Sequence, residues 1–155
     1  MKATLTRDHV RENESLYETD FYAWTRLTAA QLRQRQLDAI DLDHAAEEIE
    51  DMGKRDAKEL DSRMHVLIAH LLEWQVQPSK RSRSWVKTIG TQRIEIGIVL
   101  DQSPSLRRRL GTVLPKNYSR AVTRAMLDTG LSCDQFPRQC PYTLAQVLDD
   151  GFLPE

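Results

Sequence analysis

Apolar residues recur every three to four positions along most of the chain, the period of a helix with one buried face. The strongest stripe is Ala57, Leu60, Met64, Leu67, Leu71 and Trp74, widened by Ile68 and Leu72. Pro78 stops it, because proline lacks an amide hydrogen and its ring clashes with the preceding turn. Upstream, Phe21, Trp24, Leu27 and Ala30 or Gln31 keep the same spacing, with Leu32 beside them, behind a capping aspartate at Asp20. Leu42, Ala45, Ala46, Ile49 and Met52 form a clean apolar face behind a second cap, Asp41. Gly53 then ends that helix or sits in a bend. Downstream, Trp85, Ile89, Gln92, Ile96 and Val99 make another helical stripe. The segment RIEIGIV also alternates in the manner of a strand. A lone strand needs a partner for its backbone, and no other segment offers one, so helix is preferred. Gly90 and Gly97 each cost roughly 1 kcal/mol inside a helix. Seven apart, they share a face, and close approach of a neighbouring helix accounts for them.

Ser103-Pro104 reads as a helix start, a capping hydroxyl followed by proline at the first helical position. Leu106, Leu110, Val113 or Leu114, Tyr118, Ala121 and Ala125 carry the stripe onward to Gly130, with a kink or break predicted at Pro115. FPRQCPYT is an extended turn segment. Thr143 with Gln146 is a capping box for a last short helix, LAQVLDD, closed by Gly151. Residues 1 to about 16 lack a period and read as an arm or a frayed lead-in. The expected fold is all-α: an irregular up-and-down bundle of at least four main helices plus a short C-terminal helix. One helical domain is expected over residues 1–155, with neighbours antiparallel because their connections are short.

The segments YETDFYAWT, LDHAAEEIEDMGK, LIAHLLEWQVQP, SRSWVKTI followed by QR, SPSL and FPRQCPYTLAQVLDDGFLPE occur in this order. In order and spacing the chain resembles the bacterial family called domain of unknown function 29, from about Leu16 to the last residue. The resemblance implies an all-helical bundle from a bacterium, often a cyanobacterium or proteobacterium. It implies no established activity, cofactor or catalytic residue. The chain departs from the family pattern at Gln36-Leu37, where Gly or Arg followed by Phe is more usual, and at Pro115.

Composition narrows the function classes. A 155-residue chain with 40% hydrophobic and 29% charged residues is a soluble globular protein large enough for a real core. The net charge of −1 gives no global attraction to nucleic acid or membrane. No run approaches the ~20 apolar residues of a spanning helix, and the N-terminus lacks a signal-peptide core. Two cysteines do not make a disulfide framework, and a cytoplasmic location is expected. Charge is nevertheless uneven. Asp38 to Asp61 holds ten acids and three bases, whereas Pro78 to Arg93 holds five bases and no acid, and Gln102 to Leu127 six bases and no acid.

Three constellations could carry chemistry. Glu48 lies near the apolar face of its helix, and His70 lies on the side of Leu67 and Trp74. Facing each other across two helices they would make an acid–base pair or a metal site. The plainer alternative is a buried polar pair whose members satisfy each other. His65 and His70 are five apart and point in different directions. Cys133 and Cys140 lack companion ligands and suit packing under a C-terminal loop. No metal or cofactor is expected. The corner holding Lys80, Arg81, Arg83 and Arg93, with Lys87 and Trp85, could hold a polyanion by charge and stacking. Trp85 heads an apolar stripe, however, and is expected in the core, with Ser82 or Ser84 as the helix cap. The corner's natural partners are the acids of residues 38 to 61. The expected function is a protein-interaction or scaffold module, with another protein or a second copy as partner. The alternatives are polyanion or nucleic-acid binding through the basic corner, and an enzyme or metal protein centred on Glu48 and His70.

Overall fold

A computed structural model describes residues 13–155; residues 1–12 of the expected arm lie outside the described residues. Six helices follow one another: α1 (residues 13–19), α2 (Phe21–Arg33), α3 (Leu42–Val76), α4 (Arg83–Gln102), α5 (Arg107–Thr129) and α6 (Leu144–Leu148). Among the described residues there is no strand, so the fold is all-α. Short 3-10 turns at Leu37–Ala39, Pro78–Lys80, Pro104–Leu106 and Cys133–Gln135 join the helices.

Local signals set most boundaries. Asp20 caps α2 by accepting from the Ala23 amide, and Ser82 caps α4 by accepting from the Trp85 amide. Asp41 caps α3 by accepting from the His44 amide at 3.2 Å. Gly130 ends α5 in the left-handed conformation, φ 73°, which costs glycine nothing. Thr143 and Gln146 form the expected capping box. RIEIGIV is helical, within α4.

Three local expectations are corrected. Gly53 neither ends nor divides a helix, and α3 runs unbroken for 35 residues. Ser103 does not cap α5; its hydroxyl donates to Asp56 at 2.7 Å, and Pro104 opens a 3-10 turn instead. Pro115 lies inside α5, which continues through it.

The chain divides into two compact units between Lys54 and Arg55. Unit 2 holds a conventional core. Leu60, Met64, Leu67, Ile68, Leu71 and Leu72 of α3 are fully buried with Ile89 and Ile96 of α4, Leu110, Tyr118, Ala121 and Ala125 of α5, and Val147 of α6. Helix directions follow from the cross-links. Asp56 meets Ser103 and Arg63 lies 3.6 Å from Glu95, so α3 and α4 are antiparallel. Asp61 meets Arg109 at 2.9 Å, and Glu73 bonds Asp128 near the other end, so α3 and α5 are parallel. Unit 2 is therefore an up-down-up bundle closed by α6 and the C-terminal segment.

Arg93 secures that closure. Its side chain is buried, and its three nitrogens donate to the carbonyls of Val147 (3.0 Å), Asp150 (3.3 Å) and Phe152 (2.8 Å). The planar five-donor guanidinium suits this role because it can satisfy several carbonyls at once. Burial lowers its proton affinity, while Asp150 and Asp149 raise it. Tyr142 and Tyr118 hold the same segment by donating to Gln75 Oε1 (2.7 Å) and the Pro137 carbonyl (2.5 Å).

Candidate functional site

Unit 1 inverts the usual distribution of side chains. Among its described residues Asn13, Thr28, Gln31 and Asp41 are buried, with Trp24 and Ile40 as the buried apolar side chains. Asn13 Nδ2 donates to Gln31 Oε1 (3.0 Å) and to the Ala39 carbonyl (2.6 Å). Tyr17 donates to Glu48 Oε1 (2.8 Å) and stacks on His44 with ring centroids 3.9 Å apart. It meets Phe21 and Trp24 edge-on. His44 Nδ1 pairs with Asp41 Oδ2, the carboxylate that also caps α3. That hydrogen bond raises the His44 proton affinity. The bond to Glu48 pushes the Tyr17 phenol up to about 12, because ionisation would lose it and face a neighbouring carboxylate.

Since the polar and aromatic contacts of α3 use His44 and Glu48, its apolar side is left outward. Leu42, Ile49 and Met52 are 56%, 65% and 63% exposed, with exposed Ala46 and Gly53 among them. Asp43, Glu47 and Glu50, all exposed, flank this face. Burying one such aliphatic side chain fully is worth about 1.5–3 kcal/mol. The face therefore holds hydrophobic free energy that the described residues do not realise.

The residues singled out from sequence are dispersed. Glu48 and His70 stand on the same helix, 22 positions apart, or about 33 Å at 1.5 Å per residue. Two facing helices, the premise of that pair, do not arise. Glu48 accepts from Tyr17, and His70 Nδ1 lies 3.1 Å from the Val66 carbonyl. His65 makes the same backward contact to the Asp61 carbonyl, at 3.2 Å. Arg93 is the clamp described above and is not exposed. Lys80, Arg81 and Arg83 are exposed. Arg81 donates to the Trp74 carbonyl (2.9 Å), with its guanidinium 4.9 Å over the Trp74 ring. Among the described residues none of Lys80, Arg81, Arg83 and Lys87 is ion-paired, so the expected neutralisation by residues 38 to 61 does not occur. Trp85 is half-buried rather than core, since it stands in the first turn of α4 while the core begins at Ile89.

A family model covers nearly all of this architecture, matching residues 16–153. The chain belongs to the family described as domain of unknown function DUF29. No curated protein and no solved structure matches it. In this DUF29 chain, no helix among the described residues is long and apolar enough to cross a membrane. Among the same residues no group of three or more His, Cys, Asp and Glu side chains is placed to hold a metal ion.

One titratable cluster escaped the sequence reading. Glu73 is 2% exposed, and burial pushes its carboxyl up to about 7, with the Asp128 carboxylate adding to the rise and Arg124 opposing it. His70 feels the same Arg124 and Asp128, and burial lowers its proton affinity. Glu73 falls in the apolar run LIAHLLEW, but a buried acid in a helix looks like a solvated one until its neighbours across the bundle are known. A separate groove of roughly 590 Å³ lies along α5, lined by Val122, Met126, Cys133, Phe136 and Arg138 among others. No histidine lines it, so Cys133 has no imidazole base there.

Proposed function

We propose that this chain is a protein-interaction module whose docking element is the apolar face of α3 in unit 1. The observation that carries the proposal is the exposure of Leu42, Ile49 and Met52 on one helical face. Apolar residues spaced three, four and seven apart are the anchors of helix-in-groove recognition, and contiguous exposed apolar patches mark interaction sites. The acidic flank of Asp43, Glu47 and Glu50 favours a partner with basic edges. Unit 2, with its full core and clamped C-terminus, serves as the folded base, and both units work as one domain along the continuous α3. The free thiols of Cys133 and Cys140 suit a reducing compartment, and we place the module in the cytoplasm. Polyanion binding is less well supported, because Arg93 is buried and Arg81 is engaged with Trp74.

The test is site-specific photocrosslinking. A benzophenone amino acid at Ile49, irradiated in living cells, should give a discrete protein adduct. The same probe at exposed Lys116 should not. Absence of any protein adduct from Ile49 would remove the docking role.

A further inference from the structure

We infer that the partner of the α3 face is a second copy of this chain, and that it docks on the outer face of that copy's α4. The inference rests on the docking role proposed above and names its occupant.

The outer face of α4 is the second unpartnered apolar helix face among the described residues. Val86, Ile94 and Ile98 are 42%, 64% and 46% exposed. Gly90 and Gly97 lie on the same side, opposite the buried Ile89, Ile96 and Val99. A methyl group added at either glycine would meet nothing within 4 Å. The close helix approach that would explain them does not occur within the chain, so they leave a shallow notch open to an outside helix.

Charge selects which face meets which. Residues 13–54 carry ten acids and four bases, whereas residues 55–155 carry eleven acids and fifteen bases. The imbalance is local to the two faces. Asp43, Glu47 and Glu50 edge the α3 face, while Arg83 and Lys87 stand beside Val86 on the α4 face and are exposed. Pairing α3 with α3 would bring acid against acid, and pairing α4 with α4 would bring base against base. Only the unlike pairing matches both the apolar centres and the charged edges. The lengths agree as well. Leu42 to Met52 spans about 15 Å and Val86 to Ile98 about 18 Å along their helices. One such contact is small against the ~800 Å² per partner of a standard interface. Reciprocal use of both faces in a pair doubles it, so association is expected in the micromolar range.

The experiment is sedimentation velocity over a micromolar concentration series on the full chain, with Ile49→Asp and Ile94→Asp, alone and mixed. Both sites are exposed, and circular dichroism melts establish that each variant is folded. The wild type should associate, and each variant alone should be monomeric. Mixing the two should restore pairs, because one variant retains an intact α3 face and the other an intact α4 face. Association of the wild type should weaken at least tenfold between about 0.05 M and about 0.5 M salt. Benzophenone at Ile49 in an equal mixture of light and heavy-isotope protein should give mixed-isotope adducts on the α4 peptide. A wild type that stays monomeric, an Ile94→Asp variant that still associates, or adducts confined to one isotope would each overturn the second-copy assignment. The cellular adduct of Ile49 separates this from failure of the docking role. A cellular adduct with a different protein would leave that role standing while the second-copy assignment falls, and no adduct would remove both.

Discussion

Helix α3 carries two apolar stripes of the same period with opposite fates. Leu60, Met64, Leu67 and Leu71 are wholly buried, whereas Leu42, Ile49 and Met52 on the same helix are more than half exposed. The difference does not lie in the stripe. It lies in what the remainder of each unit offers. Unit 2 supplies α4, α5 and α6 to cover its stripe. Unit 1 turns the other side of α3 inward, where Tyr17, His44 and Glu48 make stacked and hydrogen-bonded contacts around a small core. An amphipathic helix thus specifies that one face wants burial, and the surroundings decide whether it receives it.

The largest effect separating the units should come from truncation in the buried stripe. Leu67→Ala is expected to cost about 4 kcal/mol, a typical cavity-forming change, measured by urea unfolding. A loss below about 1 kcal/mol would mean that the unit 2 core is not packed as described. Arg93→Ala should follow at about 3 kcal/mol, since three buried carbonyls lose their donor. Hydrogen exchange should report faster opening of residues 144–152 while the amides of α3 stay protected. Uniform loss of protection would contradict a local clamp.

Glu73 sharpens the comparison through pH. Its carboxyl is held neutral up to about 7, above the ordinary 4.5. The folded state therefore binds a proton that the unfolded state releases across that window. Stability from this group falls as pH rises from 4.5 toward 7 and levels off above it. His70 has the opposite sense, losing stability as pH falls below its ordinary 6.5. Glu73→Gln isolates the first effect. It should raise stability by about 2 kcal/mol at pH ~8 and make little difference at pH ~4. An equal gain at both values would show that the carboxyl does not titrate with folding. The smallest effect belongs to unit 1. Ile49→Ser should change monomer stability by no more than about 0.5 kcal/mol. A loss like that of Leu67→Ala would mean that the face is covered within the chain.

Much of the fold was legible in order. Asp20, Ser82 and the Thr143–Gln146 pair act locally, through side chains reaching amides two or three residues on, so a short window reveals them. Pro78 stops α3 for an equally local reason. Gly53 and Pro115 misled because a glycine or proline penalty of about 1–3 kcal/mol is outweighed when both flanks of the helix are held by packing. The site was less legible. Glu48 and His70 were judged as though on two helices, and the continuity of α3 removed that geometry. Arg93 read as one of five corner bases because nothing in its neighbours along the chain distinguishes a buried guanidinium from an exposed one.

By itself the sequence determined where helices start and stop and which side of each is apolar, because capping, proline sterics and the 3.6-residue period act between residues a few positions apart. Tertiary structure alone decided that the stripe at Leu60 is covered and the one at Leu42 is not, that Arg93 faces three carbonyls 54 to 59 residues away, and that Glu73 keeps its proton. Burial and electrostatic environment depend on which distant segments arrive, and that is a property of packing rather than of any local run of residues.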